Sequence, residues 1–420
     1  MTGQSMDRKS WSSKVLPYLL VAAVGAAAAS MTARAFRSRQ PADLAAQASP
    51  EEAASAPAED AEGAAEAPTE QPADSASDGV PSVAADSALP ATPPAAAETR
   101  PAPPALLAPL PPGPPLLFRE IWTYILPGEE RRLSAELPIT DLCLFDFSLN
   151  ETGRLMGKAN TNGLEKAKAL GIRTHLAIAS SGNKSLFHLA LTAQYGVRKR
   201  LIADIARLPR QHAVDGIQID FEGLHPREGP ALVGFMGELK KALPRGTILS
   251  MALPAKKIDE AKSSAFVYTD LAGLADRFFI MVYDLHWKGG PPGAISDVAW
   301  HDQVLACALS TLPQDRTIVG LPFYGRVWER EDVARALTHP QAQELAAGKA
   351  AVVQLDPRLS HTFTWRTEVT AECWFEDAAS VRAKLESTRA KGFRNVGFWR
   401  LGQEDPRIWG VIGKEAGKAQ

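Results

Sequence analysis

The 420-residue chain has few cysteines and no clustered basic segment. Its three cysteines, Cys143, Cys307 and Cys373, are an odd number without metal-like spacing, so they predict no metal site and allow at most one disulfide. We expect buried thiols, with one disulfide as the open alternative in an exported protein. The absence of a basic block, at a net charge of −2, gives no indication of nucleic-acid binding.

Residues 41–115 nearly lack large apolar side chains before Leu106 and consist mainly of Ala, Pro, Glu, Asp and Ser. Such a segment buries too little surface to offset the entropy of ordering, so we expect a disordered linker. Where proline dominates, near residues 101–115, it should be stiff and extended. The linker carries a net charge of −11, against +5 for residues 1–40 and +4 for residues 116–420. We interpret it as a spacer that separates a folded domain from a membrane.

Residues 15–33 lack any charge over 19 positions, which is just long enough to span a bilayer. Two interpretations of residues 1–40 compete. One is a signal peptide cleaved at the small residues near position 35, and the other is an uncleaved signal anchor. Arg34, Arg37 and Arg39 directly follow the run and disfavour cleavage. We therefore predict a bacterial envelope protein anchored in the inner membrane with its folded part exported; cleavage would make it periplasmic or secreted.

From residue 116 onward, predicted strands and helices alternate, which is typical of a parallel sheet. The pattern predicts eight strand–helix units in the 305 residues of 116–420, the size of a TIM (β/α)8 barrel. A doubly wound sheet is the alternative, but it usually has fewer strands. The predicted strands cover residues 120–126, 141–147, 173–179, 214–222, 247–253, 277–283, 317–321 and 395–399. The predicted helices cover residues 163–170, 184–208 with a break allowed near Gly196, 230–243, 271–274, 302–311 and 378–390.

A long interruption separates the seventh predicted strand from the last predicted helix. Residues 326–375 contain a predicted helix over 331–347 and two predicted strands over 351–355 and 361–366. Because loops after barrel strands lie on the C-terminal face, we expect a small α+β insertion there that forms one wall of a cleft.

The strand predicted over residues 214–222 carries polar side chains mainly on one face. Side chains alternate along a strand, so Gln218, Asp220 and Glu222 share a face, while Asp215 has the opposite parity. Buried charge is costly unless it is hydrogen-bonded or functional. Taken alone, the row is compatible with a structural polar network as well as with a catalytic site.

Residues 215–222 resemble the Asp-x-x-Asp-x-Asp-x-Glu signature of glycoside hydrolase family 18, the chitinase-like barrels. Asp215, Asp220 and Glu222 match it, whereas Gln218 stands where most chitinases have Asp. Later strand ends resemble the family too, namely Met281-Val282-Tyr283-Asp284, Pro322-Phe323-Tyr324-Gly325-Arg326 and Gly397-Phe398-Trp399. Gln218, Phe221 and the segments 253–256 and 291–300 resemble the spore-cortex-lytic N-acetylglucosaminidase branch. The resemblance covers residues 118–412.

The resemblance implies a substrate-assisted mechanism, in which the substrate's N-acetyl group is the nucleophile. Glu222 is then the general acid and later the base that activates water. Asp220 would hold the acetamido N–H, and Tyr283 would hold its oxygen. Trp399 would stack beneath the sugar ring. The other implied substrate contacts are Gln218, Asp284, Tyr324, Arg326 and Trp122, and Asp215 is expected to be structural.

The sequence therefore predicts a retaining N-acetylhexosaminidase that hydrolyses a GlcNAc-containing polymer of the envelope. Peptidoglycan is the expected substrate, and poly-N-acetylglucosamine or a chitin-like polymer comes second. The alternative is a catalytically inactive sugar-binding barrel, which the retained Glu222 disfavours. The expected partners are the N-acetylated polysaccharide and, through the N-terminal segment, the membrane; no nucleic acid, cofactor or metal is expected.

Overall fold

The computed structural model describes residues 110, 112–150, 152–180, 188, 190–260, 264–330, 333–366 and 370–416. The predicted signal segment and nearly all of the predicted linker lie outside these residues. Among the residues that the structure describes, no helix is long and apolar enough to cross a membrane.

Eight parallel strands form a closed barrel. In chain order, the strands are β1 (Leu116–Phe118), β2 (Glu120–Ile125), β3 (Asp141–Leu149), β4 (Leu155–Gly157), β5 (Arg173–Ala179), β6 (Gly216–Asp220), β7 (Ile248–Pro254), β8 (Arg277–Met281), β9 (Thr317–Pro322), β10 (Tyr324–Arg330), β11 (Val333–Thr338), β12 (Gln354–Leu355), β13 (His361–Arg366), β14 (Thr370–Phe375), β15 (Asn395–Trp399) and β16 (Ile412–Lys414). The barrel order is β2-β15-β9-β8-β7-β6-β5-β3, and β2 also pairs with β3. Because the ring closes, the predicted TIM barrel is confirmed and an open doubly wound sheet is excluded.

The helices pack outside this ring. Within the described residues, the α-helices are α1 (Thr161–Ala169), α2 (Val197–His212), α3 (Gly229–Ala242), α4 (Tyr268–Leu271), α5 (Val298–Thr311), α6 (His339–Gly348) and α7 (Ala378–Ala390). Between β2 and β3, where every residue is described, the chain forms only a 3-10 turn, Glu130–Arg132. No individual helix was predicted at this connection and none is found, so the predicted total of eight strand–helix units is one helix too high.

Two predicted elements near the central strand have different bounds. The predicted helix 184–208 is interrupted near Gly196, as the sequence suggested: His188, Ala190 and Leu191 are helical, and a separate helix begins at Val197 after Gly196, whose backbone is left-handed with φ of 67°. Residues 181–187 and 189 lie outside the described part of the chain. The central strand ends at Asp220, so Glu222 lies two residues beyond the end of β6.

The predicted α+β insertion lies between β9 and α7, and it contains more strand than expected. Its five-stranded antiparallel sheet has the order β11-β10-β14-β13-β12, with α6 on one face. The predicted helix 331–347 is wrong over Val333–Thr338, which pairs with β10. The helix begins only at His339, because Thr338 and Gln341 form a capping box.

The inside of the barrel is filled with aromatic side chains. Phe279 of β8 occupies space that a Cβ on Gly320 or Gly397 would fill, since such an atom would lie 2.3 or 2.2 Å from the ring. Tyr124 of β2 meets Phe279 edge-on, with ring centroids 5.2 Å apart. These contacts support the residues at the carboxyl ends of the strands. The cysteines Cys143, Cys307 and Cys373 are buried, and no disulfide forms among them.

Candidate active site

The polar row of the central strand lies in the barrel interior. Gln218 and Asp220 of β6 are buried, with exposed fractions of 0% and 6%, and Glu222 is half-buried at the mouth. The backbone N–H of Glu222 donates to Ser180 Oγ at 3.2 Å, which ties the chain after β6 to the end of β5. Asp215 does not join the row, because its carboxylate accepts from the backbone N–H of Thr174 at 2.8 Å.

Burial controls the charge of the two acids. Burial raises the pKa of Asp220 to about 7. Burial also raises the pKa of Glu222 well above its usual value, and the nearby carboxylates of Asp220 and Asp284 raise it further. Both effects favour the protonated form of Glu222, which is the form that a general acid needs.

A third acid, Asp284, is held in place three residues after the end of β8. Asp284 has a left-handed backbone with φ of 61°, which is uncommon for a residue other than glycine. Its Oδ1 accepts from the phenol O–H of Tyr324 at 2.5 Å and from Arg326 Nη2 at 2.6 Å. The carboxylate of Asp284 is thus held by two residues of β10, the first strand of the insertion.

An aromatic floor lies beside these acids. The half-buried Trp399, at the end of β15, contacts Tyr124 and Phe145, with ring centroids 5.1 and 5.0 Å away. Tyr283, at the end of β8, is half-buried and lies 6.2 Å from Tyr324, nearly perpendicular to it. Burial and the surrounding acids raise the pKa of Tyr283, so its hydroxyl stays a hydrogen-bond donor.

The insertion supports this arrangement from one side. Trp328 Nε1 donates to the carbonyl of Gly290 at 3.0 Å, and the backbone N–H of Ala334 donates to the carbonyl of Lys288 at 3.0 Å. Both acceptors lie in the loop that follows Asp284. Tyr283 and Trp399 pack against the apolar cluster that joins this loop to the insertion.

Trp122, which was predicted to contact the substrate, does not lie beside the acids and aromatic residues described above. It is completely buried, and its indole N–H donates to Glu120 Oε2 at 2.9 Å, at the amino end of β2. Its ring lies 4.3 Å from that of His175. The other predicted site residues lie at the carboxyl ends of the strands or on β10, whereas Trp122 belongs to the opposite end of the barrel interior.

Three residues of the site were missed by the sequence analysis, namely Tyr124, Phe145 and Ser180. Tyr124 donates its O–H to Gln218 Oε1 at 2.7 Å. The only local signal for Tyr124 was its parity, since residues 122 and 124 share a face of β2.

Among the described residues, no group of three or more His, Cys, Asp or Glu side chains could hold a metal ion.

Comparison with known proteins agrees with this geometry. The sequence profile described as Glycosyl hydrolases family 18 matches residues 140–404. The chain is 27% identical over 290 residues to the cortical fragment-lytic enzyme of Bacillus anthracis, covering 65% of this chain and 67% of that protein. It is 25% identical over 229 residues to chitinase 63 of Streptomyces plicatus, covering 47% and 38% of the two chains.

Among solved structures, the chain is similar to the spore cortex-lytic enzyme SleL of Bacillus cereus. The TM-score is 0.65 at 25% identity, and the match covers 72% of this chain and 76% of that one. The chain therefore belongs to family 18 of the glycosyl hydrolases, near the spore-cortex-lytic branch, and is a glycoside hydrolase.

Proposed function

We propose that the protein is a retaining, substrate-assisted N-acetylhexosaminidase that cleaves peptidoglycan. The observation that carries this proposal is the pair of acids at the mouth of the barrel. Glu222 is kept protonated by burial and by neighbouring carboxylates, while Asp220 titrates near neutrality and can supply negative charge. One group that gives a proton and one that stabilises positive charge are what this reaction requires.

Glu222 protonates the leaving glycosidic oxygen while the substrate's acetamido oxygen attacks the anomeric carbon. The C–O bond to the leaving group breaks, and an oxazolinium ion forms on the sugar. Asp220 holds the acetamido N–H and balances the positive charge. Tyr283 donates its O–H to the acetamido oxygen and sets the angle of attack. Glu222, now ionised, then takes a proton from a water molecule. The water oxygen attacks the anomeric carbon from the face that the leaving group left, and the bond to the acetamido oxygen breaks.

The remaining residues hold the sugar. Trp399 offers a half-buried aromatic face on which the C–H side of the ring stacks. Asp284 orients the sugar hydroxyls, and its own position is fixed by Tyr324 and Arg326. Gln218 lies beneath Asp220 and contributes an amide rather than an ionisable group.

Peptidoglycan is the proposed substrate because the cortical fragment-lytic enzyme of Bacillus anthracis and the spore cortex-lytic enzyme SleL of Bacillus cereus are among the similar proteins. Poly-N-acetylglucosamine and chitin-like polymers are the competing substrates, since chitinases also match. Purified protein should be incubated with each polymer and the soluble products identified by mass spectrometry. Soluble fragments ending in reducing N-acetylhexosamine from peptidoglycan support the proposal. Binding of the polymers without any product would instead indicate a non-catalytic sugar-binding barrel.

Three further measurements test the mechanism. A thiazoline mimic of the cyclised intermediate should inhibit competitively, and a de-N-acetylated polymer should resist cleavage. The first product seen by NMR should keep the anomeric configuration of the substrate. Efficient cleavage of the de-N-acetylated polymer would overturn the roles of Asp220 and Tyr283.

We further propose that residues 1–40 anchor the protein in the inner membrane and that residues 41–115 are a flexible linker to an exported barrel. The support is the 19-residue uncharged run and the composition of the linker. Full-length protein should sediment with membranes and be released by detergent. A mature chain that starts near Phe36, found free in the periplasm or medium, would show cleavage of a signal peptide instead.

A further inference from the structure

One half-buried cation at the mouth of the barrel has no part in the proposed mechanism. Arg400 directly follows Trp399, the last residue of β15. Its side chain is 17% exposed, and its Nη1 donates to Glu129 Oε1 at 2.6 Å. The guanidinium makes no other hydrogen bond within the part of the chain that the structure describes. Its Nε–H and Nη2–H are not sealed from solvent, so both can donate to a ligand.

Arg400 lies at the carboxyl ends of two neighbouring barrel strands, since β15 pairs with β2. Its partner Glu129 belongs to the loop after β2 and accepts from the backbone N–H of Leu126 at 2.9 Å. Leu126 and Trp399 pack against the same apolar cluster inside the barrel. The pair of Arg400 and Glu129 therefore lies on the catalytic face, beside the aromatic floor of the candidate site.

The charges around Arg400 favour an anion. The charged groups that act on its guanidinium are Glu129 and Arg132, so two guanidinium groups share one carboxylate. Arg132 is exposed and donates through Nη1 to the carbonyl of Gly402. Burial lowers the pKa of Arg400 below its usual value; Glu129 opposes this shift, and Arg132 adds to it. The charge of Arg400 is thus incompletely balanced, and a bound carboxylate would balance it.

Peptidoglycan carries carboxylates that neutral polymers of N-acetylglucosamine lack. Every second sugar of its glycan is a muramyl sugar with a lactyl ether, which ends in a carboxylate when no peptide is attached. When a stem peptide is attached, the carboxylates belong to the peptide instead. A guanidinium binds a carboxylate through two parallel N–H groups, and the free Nε–H and Nη2–H of Arg400 form such an edge.

We infer that Arg400 is a specificity-determining residue whose Nε–H and Nη2–H bind a carboxylate on the muramyl sugar next to the sugar stacked on Trp399. The inference rests on the proposed function and names the chemical feature by which the cleft distinguishes peptidoglycan from neutral polymers. Glu129 holds Nη1 and so fixes the direction of the other two donors. The lactyl group and the stem peptide are the two sources of the carboxylate, and the substrates of the test separate them.

The test uses four soluble substrates with the full chain. They are a peptide-free tetrasaccharide of alternating N-acetylglucosamine and muramyl sugars, the same compound with its lactyl carboxylates converted to primary amides, the same compound with stem peptides attached, and chitotetraose. If the lactyl carboxylate is bound, kcat/KM on the peptide-free acid should exceed that on its amide by about 10- to 100-fold. If a peptide carboxylate is bound, the peptide-bearing compound should be preferred over the amide instead. No preference for either acidic compound would overturn the inference.

Arg400→Gln should abolish this preference, mainly through a higher KM for the acidic substrate, because the bound carboxylate does not react. Its kcat/KM on the primary amide and on chitotetraose should stay at the wild-type value. Arg400→Lys should regain part of the preference, since lysine keeps the charge but not the two parallel donors. Equal losses on all four substrates would show that Arg400 only supports the end of β15, and would overturn its role in specificity.

The matched control is Arg382→Gln on α7, outside the barrel. The side chain of Arg382 is 8% exposed, and its Nε donates to Glu386 Oε1 at 2.8 Å, so this variant also breaks a pair of a buried arginine with a glutamate. It should lose stability in chemical denaturation but keep the wild-type order of the four substrates. A loss of preference as large as that of Arg400→Gln would assign the effect to destabilisation and overturn the inference.

A readout without turnover separates this inference from the proposed function. In a Glu222→Gln background, calorimetry should show the preferred acidic tetrasaccharide binding about 10- to 100-fold more tightly than the amide, and Arg400→Gln should remove the difference. This result in a protein whose wild type cleaves no peptidoglycan would support the role of Arg400 while overturning the proposed substrate. Equal binding of acid and amide by a protein whose wild type cleaves peptidoglycan would overturn the role of Arg400 alone.

Discussion

Acids are buried at both ends of the barrel interior, but the two sets of acids differ in their hydrogen-bond and ion-pair partners. At the amino end, Glu120 accepts from Arg277 Nη2 at 2.6 Å and from Trp122 Nε1 at 2.9 Å. Asp141 accepts from Arg173 Nη2 at 2.7 Å and contacts His175 Nε2 at 2.9 Å. Both carboxylates are thus paired with cationic or N–H donors.

At the carboxyl end, cationic partners are absent from the described surroundings of Asp220 and Glu222. Burial alone would raise the pKa of Asp141 as well, but His175 and Arg173 hold it below its usual value. Burial raises the pKa of Asp220 to about 7, with no opposing group. The comparison shows that pairing, rather than burial, separates Glu120 and Asp141 from Asp220 and Glu222, the two acids that we propose to be catalytic.

The largest expected effect is on activity at the carboxyl end. Glu222→Gln keeps the shape of the side chain but cannot deliver a proton, so hydrolysis should fall about 100- to 10,000-fold. Binding of a substrate fragment, measured by calorimetry, should persist. The exposed acid Glu165 on α1 provides the control Glu165→Gln, which should keep wild-type turnover. Wild-type turnover in Glu222→Gln would remove Glu222 from the mechanism.

The next effect is on stability at the amino end. Asp141→Asn leaves His175 without its anionic partner and Arg173 with only Glu120, 3.7 Å away, and breaking a buried ion pair costs about 3–5 kcal/mol. Because Arg173 is 39% exposed, solvent screening reduces the expected loss to about 2–3 kcal/mol. Chemical denaturation measures it, and activity per folded molecule should stay at the wild-type level. A variant as stable as the wild type would contradict the structural role of this pairing.

The same substitution at the carboxyl end should have the opposite sign. Since folding raises the pKa of Asp220 from its ordinary value to about 7, the ionised carboxylate opposes folding, increasingly as pH rises from about 4 to 7. Asp220→Asn should therefore stabilise the fold by about 1–3 kcal/mol at pH 8 and by much less at pH 4.5. Urea denaturation at the two pH values checks this. Destabilisation at pH 8 would mean that Asp220 is paired in solution.

The barrel and its central polar row could be predicted from sequence because both follow from local alternation of side chains. The α+β insertion was also predicted, but its strand Val333–Thr338 was not, since this strand pairs with β10 through contacts that no local pattern encodes. The predicted substrate contact of Trp122 differs from its place in the structure for another reason. Parity places residues 122 and 124 on the same inner face, but two residues of strand, roughly 7 Å, separate one end of the interior from the middle.

A smaller effect is expected from Gln218→Asp, which gives the carboxyl end another unpaired acid. Two neighbouring carboxyls cannot easily both ionise, so one pKa of the pair should rise. Activity should persist within about tenfold, while the acidic limb of the pH profile moves up by roughly one unit. Steady-state kinetics between pH 4 and 8 measures both quantities. An unchanged profile would place Gln218 outside the electrostatic environment of Asp220.

The smallest effect is expected for a substitution of Trp122. This residue lies at the amino end but was predicted in the cleft, so it tests directly whether the two ends have different roles. Trp122→Phe removes the indole N–H that Glu120 accepts, but Arg277 still pairs with that carboxylate through Nε and Nη2. The expected loss of stability is about 1 kcal/mol, the usual net value of one hydrogen bond. If Trp122 belongs to the structural amino end, kcat and KM on every accepted polymer should stay at wild-type values. A higher KM at unchanged stability would instead return Trp122 to the sugar-binding cleft.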